Sequence, residues 1–336
     1  MDRYPISASS LEKFYCIDGH QFERQYKEHL SGYPEWRDGD TGGHADQWLV
    51  FPENIGPRMS IDETSLSDGE LYTIVSNKDA HGRKGALAAI VRGTKAEDVY
   101  TALWNISETA RSTVTEITLD LSSSMRKIAR LAFPKATQVM DRFHVQKLAL
   151  DALQEMRISF RWEAMREENA MQAKCREARR RGEDVEPYEP ETFANGDTRK
   201  QMLARSRYLL FKSRDKWTAS QKARAEILFS LYPDLEQAYG LTDELRRIYS
   251  SSKEKGVAYT KLARWFNHVE DAGYDSFRIV RDTVYENYRD ILNFFDHRST
   301  NASAESFNSK IKNFRAQLRG VSDVKYFLFR LQKIYA

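Results

Sequence analysis

Residues 114–144 read VTEITLDLSSSMRKIARLAFPKATQVMDRFH, and the punctuation of this stretch decides the fold. Val114 to Leu119 predicts a strand, Ser122 to Phe133 has helical spacing, Thr137 to Met140 predicts a buried strand, and a long helix runs from His144 onward. Each strand gives way to an aspartate, Asp120 and Asp141. The carboxyl edge of strands in such a sheet is a common place for ligands.

Working backwards, Met59 to Leu66, Leu71 to Ser76 and Ala86 to Val91 are short apolar or alternating runs separated by glycine and charged turns, which predicts an antiparallel meander. Lys95 to Ala110 reads as a helix. The order is therefore three strands, helix, strand, helix, strand. Residues 1–57 read as one amphipathic helix, with Leu11, Phe14, Tyr15, Ile17, Phe22, Tyr26 and Leu30 as its stripe, followed by an irregular linker. From 145 to 296 helical periodicity dominates, broken at Arg176 to Asn195 by a basic run with Pro187 and Pro190 that reads as an exposed connection. The expected division is 1–57, an α/β core of 58–144, an all-helical insertion of 145–296, and 297–336 returning to complete the core.

A chain of 336 residues can bury a sizeable core. Mean hydropathy is −0.66 and no run of about 18 apolar residues occurs, which supports no membrane-spanning helix and, with no basic-then-apolar start, no signal peptide; the expected compartment is the cytoplasm. Cys16 and Cys175 have neither metal-ligand spacing nor disulfide density, which argues against a zinc finger. A net charge of +3 is too mild to establish nucleic-acid binding by itself, because clustering on a face is what matters.

Four segments carry chemistry: Ile61-Asp62-Glu63-Thr64-Ser65, Asp120-Leu121-Ser122-Ser123-Ser124, Asp141-Arg142-Phe143-His144, and Asn301-Ala302-Ser303-Ala304-Glu305-Ser306-Phe307-Asn308, followed by Lys310-Ile311-Lys312-Asn313-Phe314-Arg315. Carboxylates far apart in sequence, each at the edge of an apolar run or inside a basic helix, suggest a divalent-metal site built by folding. In their order and spacing the four segments resemble the DDE transposases of bacterial insertion sequences, in the branch with a C/D-x-x-H box after the second catalytic aspartate. The likeness is to the "L-three" family in a form found in Bacteroides-type bacteria, and covers roughly residues 45 to 336. It implies an RNase H-like mixed-sheet core with a large all-α insertion before the final catalytic helix. It also implies DNA cleavage by activated water and joining of the freed 3′-OH to target DNA, with two Mg²⁺ (or Mn²⁺) ions.

On that resemblance Asp62, Asp120 and Glu305 are the catalytic, metal-holding residues. Two ions about 3.5–4 Å apart stabilise the attacking and leaving oxygens of phosphoryl transfer. Asp62 shares a strand face with Ser60 and Thr64, opposite Met59 and Ile61, while Glu63 points to the other face. Asp120 reads equally as the N-cap of the following helix, and Asp141 in place of Asp120 as the ligand stays open. Glu305 lies in the first turns of a helix opened by Ser299, Thr300 or Asn301, and its other reading is an acid stabilising that helix end. Asp141 and His144 are read as a supporting pair beside the metal ligands, with packing as the alternative.

Phe307, Ile311, Phe314 and Leu318 form the buried stripe of that final helix; Asn308, Lys310, Lys312, Arg315 and Arg319 are read as its DNA-facing residues. Trp162, Trp217 and Trp265 are candidates for stacking on an unpaired base, Trp217 foremost because it lies among Lys212, Arg214, Lys216 and Lys222; the alternative is core. Expected partners are DNA, both element ends and target, a separately encoded N-terminal DNA-binding protein, and further copies of the chain on DNA. The rival functions are an RNase H-like nuclease without strand transfer and a non-catalytic DNA-binding remnant.

Overall fold

The computed structural model describes residues 1–66, 69–318 and 323–336. Two compact units are present, Met1–Asp141 with Arg289–Ala336, and Arg142–Tyr288. The first is α/β with an RNase H-like core, a six-stranded mixed sheet in the order β1-β4-β3-β2-β5-β6. Its strands are β1 (Trp48–Val50), β2 (Arg58–Ser65), β3 (Leu71–Asn77), β4 (Leu87–Arg92), β5 (Glu116–Leu119) and β6 (Thr137–Met140). β1 to β4, β4 to β3 and β3 to β2 are antiparallel, whereas β2 to β5 and β5 to β6 are parallel.

Both sheet faces are covered. Met59, Ile61, Ile117 and Leu119 are buried on one side, where the Ala96–Leu103 and Ser123–Ala132 helices bring Val99, Leu103, Met125 and Ile128. On the other side Tyr72 and Ile74 join Phe307, Ile311 and Phe314 of the Ala302–Gln317 helix and Phe327 and Leu331 of the Val324–Tyr335 helix in one apolar cluster. Ser60 and Thr64 are buried as well, so the middle of β2 is covered on both faces while Glu63 is exposed.

The strands expected from Met59 onward and the long helix after Met140 are present, the latter as Arg142–Arg180. That helix runs past Arg176, so the exposed connection starts only at Arg181. The helix expected over Lys95 to Ala110 is two, Ala96–Leu103 and Glu108–Arg111, divided where Asn105 turns its amide back onto the Ala102 carbonyl at 3.0 Å and Ser107 caps the second.

The N-terminal reading needs correction. In place of one helix there are Ala8–Tyr15, Gly19–Gln25, Tyr33–Asp38 and Asp40–His44, and β1 lies within the expected linker. Cys16 in a left-handed conformation and the Asp18 cap break the first pair. After Gln25 the chain widens into a single π turn closed by Ser31 N onto Tyr26 O, and Gly32 at φ 74° redirects it. Phe14, Tyr15 and Leu30 are exposed, so the expected stripe is not a buried face. Tyr26 and Tyr33 instead pack with Tyr326 and Phe329 of the last helix.

The second unit is helical, apart from one isolated bridge between Thr192 and Thr198 among its described residues. Trp217 lies in its core, 9% exposed, with Nε1 donating to the Leu209 carbonyl at 2.7 Å and its ring against Phe229 and Tyr239. Trp265 is fully buried, while Trp162 is exposed. No described helix is long and apolar enough to cross a membrane.

Candidate active site

Parallel pairing carries the aspartates together. Ser60 of β2 aligns with Thr118 of β5, and Thr118 aligns with Val139 of β6. Two residues further along each chain, on the same side of the pleat, come Asp62, Asp120 and Asp141. The ladder continues there on one side, because Asp141 N donates to the Leu119 carbonyl at 3.0 Å. With strands about 4.8 Å apart, the three carboxylates form a row, Asp120 in the middle. They follow from the strand order rather than from any local motif.

The Ala302–Gln317 helix lies against this row through two asparagines. Asn301, at the N-cap, donates its backbone N–H to Asp141 Oδ1 at 3.1 Å and its side-chain amide to Asp120 Oδ1 at 3.3 Å. Asn308 donates its side-chain amide to Asp62 Oδ2 at 2.6 Å. Glu305 is four residues after the first asparagine and three before the second, so all three lie on one face of the helix. Glu305 itself is exposed, and its N–H bonds the Asn301 carbonyl at 2.9 Å. Asn301, expected as a possible cap, is the N-cap, and Asn308, expected among the DNA-facing residues, is 5% exposed and bonded to Asp62.

Asp120 is not the cap of the next helix: Ser122 occupies that position. Beneath Asp120, Lys78 Nζ donates to Thr118 Oγ1 at 2.7 Å and lies 3.6 Å from Glu116. Burial pulls the Lys78 ammonium below its ordinary range, and the Glu116 carboxylate opposes that pull. Lys78 had no sequence signal, because Thr118 lies forty positions away, in β5. Asp141 is 1% exposed and closes the first unit, whereas His144 lies in the first turn of the second unit with its ring edge-on to Phe143 at 5.8 Å.

The expected DNA-facing row divides. Lys312 is exposed, and Lys310 is exposed with its ammonium on the Gly82 carbonyl at 3.0 Å. Arg315 is 8% exposed, forks onto Glu70 at 3.2 and 3.3 Å, and covers the Phe327 ring. The helix is therefore buried over an arc wider than the stripe of Phe307, Ile311, Phe314 and Leu318. Arg319 lies outside the described residues.

Among the described residues no three His, Cys, Asp or Glu side chains are gathered closely enough to hold a metal ion as they stand. The donor chemistry nevertheless suits a hard cation. The row presents only oxygens, and the buried Oδ1 atoms of Asn301 and Asn308 have no protein hydrogen-bond partner.

The chain is 21% identical over 280 residues to a transposase for insertion sequence element IS1001 from Bordetella parapertussis, covering 82% of this chain and 60% of that protein. It is 25% identical over 256 residues to a transposase for insertion sequence element IS1557 from Mycobacterium tuberculosis, covering 76% of this chain and 54% of that one. The chain thus spans little more than half the length of these curated relatives. No solved structure gives a significant match. Residues 59–331 match the family described as transposase, of the DDE, ISL3 type, and a match over that much of the sequence makes this chain a member of the ISL3-type DDE transposase family.

Proposed function

We propose that this chain is the catalytic part of a transposase that cuts DNA at the ends of an insertion sequence with activated water and joins the freed 3′-OH to target DNA, acting in the cytoplasm. The observation that carries the reading is the tie between the aspartate row and the helix bearing Glu305, through Asn301 on Asp120 and Asn308 on Asp62. Asp62, Asp120 and Glu305 would hold two Mg²⁺ or Mn²⁺ ions. Bound there, such ions supply neutralising charge for the attacking and leaving oxygens of an in-line displacement.

The protein's own part is positioning. Asn308 fixes the orientation of the Asp62 carboxylate, and Asn301 locks the start of the helix onto Asp120 and Asp141 together. Glu305, exposed on the same helix face, is the carboxylate that completes the set by a side-chain rotation. Asp141, pinned by a backbone N–H, supports the row, and His144 acts outside it. Exposed Lys310 and Lys312 meet DNA phosphates, which set position but carry no base sequence. A separately encoded DNA-binding protein would read the end sequence, and two copies of the chain would act on the two ends.

The test is incubation of the protein on labelled element-end duplex and a target plasmid with Mg²⁺. Joined product is expected. Cleavage without joining would make the chain a nuclease, and metal-independent binding without nicking would make it a non-catalytic remnant.

A further inference from the structure

On the first unit, the turn between β3 and β4, the N-terminal segment and the last two helices enclose a cleft of about 610 Å³. Its walls carry Arg3, Arg83, Lys84, Lys310 and Lys333, and no carboxylate lines it. Lys333 reaches Asp2 at 2.9 Å on the rim, and Lys310 reaches the Gly82 carbonyl. Arg3, Arg83 and Lys84 make no ion pair among the described residues. Five cations on one concavity repel each other, and the arrangement is stabilised when an anion enters.

The cleft is built, not an accident of mobile side chains. Arg330, fully buried, donates to the Met1 carbonyl at 2.9 Å and the Ile6 carbonyl at 3.2 Å, which fixes the backbone on both sides of Arg3. Gly85 N donates to the Tyr335 carbonyl at 2.9 Å, tying the β3–β4 turn to the last helix. Tyr335 lines the cleft and is 4% exposed, its ring edge-on to Phe307 at 5.1 Å in the apolar cluster beneath.

The geometry points to a phosphodiester-binding site in this cleft, in which Arg3, Arg83 and Lys84 neutralise backbone phosphates of DNA. The inference rests on DNA being the substrate. Five cations in one cleft with no carboxylate lining it exceed what a single free phosphate neutralises, which favours a polyanionic DNA strand.

The experiment is fluorescence anisotropy with labelled duplex across a salt series, in EDTA so that metal binding at the carboxylates takes no part. The Arg3→Ala/Arg83→Ala/Lys84→Ala variant changes exposed side chains only; its log-affinity against log-salt slope should fall by about two to three, with binding at least ~10-fold weaker. The single Lys84→Ala variant should lower the slope by about one at an unchanged melting temperature. Wild-type slope and affinity in both variants would overturn the site. Displacement of duplex by low-millimolar inorganic phosphate would overturn the DNA assignment in favour of a free phosphate ligand. Because no cutting is read, wild-type protein that binds here yet never cleaves would leave the cleft standing and sink the catalytic reading instead.

Discussion

Asn308 donates its side-chain amide to Asp62 at 2.6 Å across 246 positions of sequence, and so sets the register of the last long helix against β2. A carboxylate whose oxygen is held by a fixed donor offers its other oxygen in a fixed direction. Asn308→Ala should lower Mn²⁺ affinity by about 10–100-fold, the usual cost of removing a group that orients a metal ligand. Titration followed by electron paramagnetic resonance, with a thermal melt to confirm folding, measures this. Unchanged affinity in a folded variant would reduce Asn308 to packing.

The three-aspartate row makes a ranking testable. Asp120→Asn should abolish cleavage while leaving folding and DNA binding intact, because it removes a charge without changing shape. Asp141→Asn can still accept from Asn301 N and should retain measurable activity, reduced about 10–100-fold. A dead Asp141→Asn beside an active Asp120→Asn would reverse the assignment.

Arg315 and Lys312 should now behave differently, although both lie in the basic stretch of one helix. Lys312→Ala should lower the salt slope of DNA binding by about one and leave stability alone. Arg315→Ala should destabilise the protein by roughly 1–3 kcal/mol, because it strands the largely buried Glu70 carboxylate and uncovers Phe327. Equilibrium denaturation separates the two; a stability loss at Lys312 or none at Arg315 would contradict the placement.

Asp197 gives the second unit an acid-sensitive clasp. Burial pushes its carboxyl up, but hydrogen bonds from Arg224 and Arg205 outweigh this and hold it below the ordinary aspartate value. A depressed folded value means the stabilisation is present in full above the unfolded value of about 3.9 and is lost as pH falls through the folded one. Denaturation followed by Trp217 fluorescence should show the loss of stability below about pH 4 shrinking in Asp197→Asn. An identical acid limb in that variant would show that the clasp contributes nothing.

How far the sequence could be read depended on the range of the interaction. β5, β6 and the helix between them were legible because alternation and helical spacing are local. β1 was not: Trp48–Val50 is a three-residue edge strand whose only reason to extend is its pairing with β4. The N-terminal helices share a spacing that suits one continuous helix, which Cys16 and Gly32, through their left-handed backbone, and the Asp18 cap break. At the site, the carboxylates stood out by residue type. Their grouping in a row required the parallel register, and the roles of Asn301 and Asn308 required contacts spanning 160 to 246 positions, which no local pattern encodes.

The central claim is that Asp62, Asp120 and Glu305 act as one metal site. Mn²⁺ titration of the wild-type chain and of Asp62→Asn, Asp120→Asn and Glu305→Gln tests it most directly, without relying on a DNA substrate. The account predicts two bound ions in the wild type and a loss of at least ~10-fold in affinity or of one ion in every variant. Wild-type binding retained in Glu305→Gln together with either aspartate variant would contradict it.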